Sequence, residues 1–204
     1  MKITIVSGSH RQQSQSEKVA NVVKQVFLEN FSGIEPDIFS LAGNPLPLWD
    51  ESIWDGDETW KERLAPLKKQ LGDSDAFVII TPEWHGQVPA GLKNFFLMFS
   101  KHELGHKPAL IISVSSGTGG SYPVAELRMS SYKNNRLCYL PEHLIIRDVE
   151  NVLNDDASKN NEKSDSFYRE RLQWCLEILI AYGESLKTMR SKTKVIHEKF
   201  GNGM

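Results

Sequence analysis

Apolar positions along the chain follow two alternating rhythms. Residues 3–6 form a short β-rich run, a patch of Ser, Gln, His and Arg follows, and Val19, Val22, Val23, Val26 and Phe27 then recur at helical spacing. This predicts a strand handing over to a helix. "EPDIFSL" reads as a second, weaker strand, and "TWKERLAPLKKQLGDSD" as a second helix that Gly72 ends. "AFVIIT" is apolar at nearly every position, as expected of a strand buried on both faces of a parallel sheet, and Pro82 stops it. "PAGLKNFFLMFSKH" is a third helix, "ALIISVSSGTGG" a fourth strand entering a glycine-rich turn, "SYPVAELRMSSYKNN" a fourth helix and "HLIIRDV" a fifth strand. The last helix is expected over residues 166–187, with Tyr168, Leu172, Cys175, Leu176, Leu179 and Tyr182 on one face.

Strands alternating with helices through short connections predict one α/β domain: a three-layer α/β/α sandwich around a five-stranded parallel sheet, over residues 1–190, with a tail at 191–204. Two segments break the rhythm. Residues 44–60 carry two prolines and Trp49, Trp54 and Trp60, and residues 154–166 are polar, as expected of a mobile loop.

Composition narrows the function classes. The 204 residues are 40% hydrophobic and 25% charged, an ordinary globular balance, and 24 basic against 26 acidic residues leave a net charge of −2. That charge gives no electrostatic footprint for nucleic acid or anionic lipid. Cys138 and Cys175 lie far apart without metal-ligand spacing, so neither a disulfide framework nor a metal site is expected. "MKITIVSGSH" is too short an apolar run for a signal peptide, and no stretch reaches the roughly 20 apolar residues of a membrane span. The expectation is a soluble, cytoplasmic protein.

In an open α/β sheet the loops leaving the carboxyl ends of the strands meet at one edge, and three of them here are unusual. The first supplies Ser9, Arg11, Ser14, Gln15 and Ser16 at the amino end of a helix, where free N–H groups, hydroxyls and a guanidinium suit a phosphate dianion. It is neither a Walker loop nor GxGxxG, which disfavours nucleoside triphosphates and a Rossmann-type dinucleotide. Ser14 and Glu17 also fit a capping box, which accounts for these two residues without any ligand but leaves Ser9 and Arg11 unexplained. The second loop, "TPEWHGQVPAGLKN", is stiffened by Pro82 and Pro89 around Gly86 and offers Trp84 to a planar ligand; its ligand-free reading is a hydrophobic staple before a proline-started helix. The third, "SSGTGG", can turn several N–H groups toward one oxygen, or serve as a flexible turn. Together the loops describe a site for a flat aromatic mononucleotide.

At these residues the chain resembles the NADPH-dependent FMN reductases of flavodoxin-like fold, a family that includes quinone, azo-dye and chromate reductases. "GSHRQQS" resembles the family's GSxRxxS loop, "PEWHGQVPAGLKN" its PEYNGSxPGxLKN loop and "SSGTGG" its third loop, while "ELR" at 126–128 and "YLPEHLII" at 139–146 resemble its later framework. The resemblance implies FMN as cofactor, with Ser9, Arg11, Ser14, Gln15 and Ser16 at the phosphate. Pro82, Glu83, Trp84, His85 and Gly86 would line the isoalloxazine, and Ser116, Gly117, Thr118 and Gly119 its pyrimidine side. Three positions depart from the pattern: Trp84 replaces a tyrosine, His85 an asparagine, and Ser16 a frequent asparagine.

The implied chemistry is hydride transfer from NADPH or NADH to flavin N5 and onward to a quinone, azo compound, free flavin or similar acceptor. The flavin carries the reaction, so no protein group is assigned as catalytic; His10, His85, Glu83 and Arg11 tune the site. Two other readings are a flavodoxin-type electron carrier, which the small net charge disfavours, and a non-enzymatic FMN-binding regulatory module. "FFLMF" at residues 95–99 leaves an apolar outer face on the third helix, and the resemblance implies a homodimer, or dimer of dimers, built on the third and fourth helices. Trp49, Trp54 and Trp60 are candidates to reach a partner's site.

Overall fold

The structure, a computed structural model, describes residues 1–203. Five strands, β1 (Lys2–Ser7), β2 (Glu35–Ser40), β3 (Ala76–Pro82), β4 (Pro108–Val114) and β5 (Cys138–Ile146), form one parallel sheet in the order β2-β1-β3-β4-β5. This is the strand order of flavodoxin-like folds, with its switch point between β1 and β3. Side chains alternate across β3 and β4. Val78, Ile80, Leu110 and Ile112 join a core beneath α1 (Gln15–Asn30) and α6 (Glu162–Lys192), whereas Phe77, Ile79, Ala109 and Ile111 pack beneath α2 (Glu58–Asp73), α3 (Ala90–Met98) and α5 (Ser121–Ser130). Both faces are covered, which is why the central strands read as unbroken apolar runs.

Several boundaries differ from the sequence reading. Gly72 does not end α2; the helix continues to Asp73 and Ser74 caps it. The ammonium of Lys107, the residue before β4, donates to the carbonyls of Leu71 and Gly72 at 2.8 Å, supplying the cation and donors a helix C-terminus needs. The third predicted helix stops at Met98, and a separate turn, α4 (Lys101–Leu104), restarts behind a capping box of Ser100 and Glu103. β5 begins at Cys138, earlier than predicted, because it is an edge strand where Pro141 needs no ladder partner.

Residues 154–166, expected as a mobile loop, are held by hydrogen bonds. Leu153 N–H donates to the Asp165 carboxylate at 2.6 Å, Asn161 N–H to the Asn151 carbonyl at 2.7 Å, and α6 begins at Glu162 with Asn161 as its cap. That helix also runs five residues past its predicted end, to Lys192. The tryptophan-rich segment lies against α3: buried Asn94 accepts from Trp49 N–H and donates to the Pro47 carbonyl. No helix among the described residues is long and apolar enough to cross a membrane.

Candidate functional site

The three loops singled out in the sequence leave β1, β3 and β4 at the carboxyl edge, on either side of the switch point. The first is anchored by Gly8, whose N–H donates to the Ile80 carbonyl at 2.8 Å. A Cβ there would lie 2.5 Å from that oxygen and 2.7 Å from a Leu92 methyl, so only glycine lets the chain leave β1 this close to β3. Ser9 is buried and its Oγ accepts from Arg11 N–H at 3.4 Å, while Arg11 itself is exposed at the loop tip.

Ser14 caps α1, accepting from Glu17 N–H at 3.1 Å. The other half of the expected capping box is absent: the Glu17 carboxylate accepts from Ser40 Oγ at 2.7 Å and ties the helix to the end of β2. Just inside α1, Ser16 Oγ and Gln15 Oε1 are buried without a hydrogen-bond partner, as are Ser7 Oγ, Ser113 Oγ and His10 Nδ1. Buried polar atoms are ordinarily paired. A group of unpaired ones at a helix amino end, beside the free N–H groups of its first turn, fits an anionic ligand.

The second loop is a tight hairpin. Trp84 and Gln87 exchange backbone hydrogen bonds of 3.1 and 2.9 Å, and His85 and Gly86 take φ values of 49° and 74°, the left-handed pair a type I′ turn requires. Asparagine and histidine are among the side chains that best tolerate this conformation, which accounts for His85 where asparagine is usual. His85 is exposed, whereas Trp84 is half-buried with its ring edge-on to His10 at 4.5 Å between centroids. Tyr122, at the start of α5, borders Gly86.

The Glu83 carboxylate binds the second loop to the third by accepting from Gly120 N–H at 2.5 Å. A Cβ on Gly119 would stand 2.0 Å from the same oxygen and would displace the Glu83 carboxylate from its bond to Gly120. Glu126, of the "ELR" stretch, accepts from Val88 N–H at 2.8 Å and pairs with Lys93, and Arg128 donates to the carbonyls of Leu140 and Pro141. These framework residues brace loops and strands.

Ser9, Ser14, Gln15 and Ser16, then Pro82 to Gly86, then Ser116 to Gly119 thus occupy neighbouring loops at one edge. One residue that the sequence reading missed is Arg147, just beyond β5, whose Nε donates to the carbonyls of Thr118 at 2.7 Å and Gly119 at 2.9 Å. Its only local signal is a cation directly following an apolar strand. On the far side of α1, Lys18 donates to the carbonyls of Val149 and Val152 and to Asn154, and burial pulls its ammonium below the ordinary lysine value.

A cleft of 1060 Å³ opens beside the site, sharing Val88 and Glu126 with the second loop's surroundings and lined further by Trp49, Trp54, Phe96 and Leu97. Two other concavities, of 590 Å³ and 340 Å³, are lined by residues of α1, α6, β2 and α2 and contain none of the loop residues.

Known proteins share the fold and the family pattern of this chain. The family profile described as NADPH-dependent FMN reductase matches residues 1–150. A 2-hydroxy-1,4-benzoquinone reductase of Burkholderia sp. is 30% identical over 172 residues, covering 81% of this chain and 88% of that protein. An NADPH azoreductase of Bacillus sp. (strain OY1-2) is 29% identical over 122 residues, covering 59% of this chain and 62% of that protein. Among solved structures, the flavoenzyme NAD(P)H:(acceptor) oxidoreductase of Paracoccus denitrificans superposes with a TM-score of 0.68 at 23% identity, over 90% of this chain and 97% of that one.

Proposed function

From the premise that this chain belongs to the NADPH-dependent FMN reductase family, we propose how its own residues hold FMN and admit a nicotinamide and an acceptor. The observation that carries the reading is the unpartnered buried Ser16 hydroxyl beside the free first-turn N–H groups at the α1 amino end.

The FMN phosphate is assigned to Ser9, Arg11, Ser14, Gln15 and Ser16. Hydroxyls donate there, first-turn N–H groups donate alongside, and the Arg11 guanidinium balances the charge. Ser9 and Ser14 accept backbone bonds in the structure and keep their O–H protons for a ligand. The isoalloxazine belongs against Pro82, Glu83, Trp84, His85 and Gly86. The turn at His85 and Gly86 fixes that wall, and Glu83 locks it to the third loop. Ser116, Gly117, Thr118 and Gly119 would face the pyrimidine side, where the free N–H groups of Ser116, Thr118 and Gly119 would stabilise negative charge as an oxyanion hole does. Bound FMN supplies the hydride chemistry between NADPH or NADH and the acceptor. The protein places the partners and excludes water from the contact.

Residues 1–190 act in this reading as one FMN-binding domain. The acceptor is a small molecule of the quinone or azo class, supported by the activities for which the Burkholderia and Bacillus relatives are named. A soluble, cytoplasmic homodimer across α3 and α5 completes the proposal, supported by the exposure of Leu97 at 65% and Met129 at 78% on that face.

The test is an absorbance spectrum of the purified protein with FMN, before and after anaerobic NADPH. A perturbed flavin spectrum that bleaches with NADPH and recovers with a quinone or azo dye is expected. FMN bound without bleaching would overturn the reductase in favour of a carrier or regulatory module, and an unperturbed spectrum at excess FMN would overturn the site.

A further inference from the structure

The backbone of the third loop is organised almost entirely by the three residues that follow β5. Ser115 N–H donates to the Ile146 carbonyl at 2.9 Å, and the Ser115 carbonyl accepts from Val149 N–H at 3.2 Å. The Gly117 carbonyl accepts from Asp148 N–H at 3.1 Å. Arg147 takes the next two carbonyls, Thr118 and Gly119, through Nε, and reaches Ser121 Oγ through its terminal nitrogen at 3.4 Å. The carbonyls of Ser115, Gly117, Thr118 and Gly119 are therefore all engaged from residues 147–149. Among N–H groups, Gly117 turns to Ser115 Oγ and Gly120 to Glu83, while those of Ser116, Thr118 and Gly119 find no acceptor among the described residues.

Glycine-rich backbone has no strong preference of its own for which way its peptide units face. Thr118 and Gly119 are the peptide units that no strand or helix holds, and the guanidinium fixes both. Both bonds come from one Nε–H, whose direction the planar guanidinium fork fixes and its terminal nitrogen's contact with Ser121 supports, where the donors of an ammonium rotate freely. The guanidinium also stations a permanent positive charge at the loop.

We infer that Arg147 is a positioning residue of the site: it holds the Thr118 and Gly119 carbonyls on its own side, leaves the loop's N–H groups free for the pyrimidine edge of bound flavin, and biases that site toward the reduced ring. The inference rests on the FMN-binding reading above. Its electrostatics follow from the electron count. A hydride from the nicotinamide brings two electrons and the one proton that N5 takes, and the negative charge left on the N1–C2=O edge is what oriented N–H groups and a nearby guanidinium favour. The neutral oxidised ring gains less from both.

Arg147→Met removes fork and charge, and Arg147→Lys keeps the charge without the fork. Melting temperature without FMN serves as the folding control. In Arg147→Met, amide exchange at Gly120, whose N–H is bonded to Glu83 and belongs to the peptide unit whose Gly119 carbonyl Arg147 holds, is expected to accelerate by about tenfold or more without FMN, because that unit loses its hold. The ratio of affinities for reduced over oxidised FMN is expected to fall about tenfold, read as a midpoint potential ~30 mV more negative for this two-electron couple. Arg147→Lys is expected to accelerate exchange while keeping most of the potential. In Arg147→Met, faster exchange with an unchanged potential would reduce Arg147 to a structural brace and overturn the inference, as would unchanged exchange. Should the wild-type protein bind no FMN, the functional reading fails separately, and exchange in the FMN-free variants still decides whether Arg147 orders the loop.

Discussion

Ser16 separates a ligand site from an ordinary helix start. Its hydroxyl is buried one residue inside α1 with no partner, so in the FMN-free protein it contributes desolvation cost and no bond. Ser16→Ala is therefore expected to leave the unliganded protein as stable or about 1 kcal/mol more stable in urea unfolding, since an unsatisfied buried hydroxyl is removed. FMN affinity, followed by flavin fluorescence, should fall by about 1.5–3 kcal/mol, the range for a hydrogen bond to a charged group. Loss of stability with unchanged affinity would make Ser16 a packing residue. His85 shows the converse at the same scale: its chemistry departs from the family pattern, but the left-handed backbone at φ 49° explains why histidine can stand there.

At the scale of elements, α2 and β4 are joined by one buried cation. Lys107 is 6% exposed, caps the Leu71 and Gly72 carbonyls and lies over the Phe77 ring, and burial, reinforced by Arg190, pulls its ammonium down to about 8. The folded protein thus holds this proton less tightly than the unfolded chain, whose lysine titrates near the ordinary 10.5. The cost of burying the charge is fully present below the folded value and is relieved as pH rises through it toward the unfolded one. Both hydrogen bonds survive on the neutral amine. Urea unfolding should show wild type gaining roughly 1–3 kcal/mol on Lys107→Met between about pH 8 and 10, the order given by a shift of this size. A difference that is flat with pH would show that the ammonium is not destabilised by burial.

At the scale of the whole molecule, the proposed homodimer puts the α3/α5 face at its interface. Trp60 is buried and donates to Ser52 Oγ, and Trp49 stacks edge-on with Trp54 at 4.7 Å, so of the three tryptophans only Trp54, 79% exposed, is free to reach a neighbour. Sedimentation is expected to give a dimer, and Leu97→Glu with Met129→Glu a monomer, because two buried unpaired carboxylates per protomer outweigh what the apolar face gains. A wild-type monomer at high concentration would remove the dimer from the proposal.

The sequence by itself determined the layer architecture, since apolar runs on both faces of β3 and β4 admit only a sheet covered on two sides. It also determined the three loops, because glycine, proline and serine act through local backbone freedom and local hydroxyl chemistry. What it left open were boundaries and braces. The end of α2 depended on Lys107, the order of residues 154–166 on Asp165 and Asn151, and the facing of the third loop on Arg147. Each is a hydrogen bond between residues distant along the chain, and such bonds leave no periodic trace in the order of amino acids. Only tertiary packing decides them: the closing of the sheet, for instance, brings the end of β5, and with it Arg147, beside the loop that leaves β4.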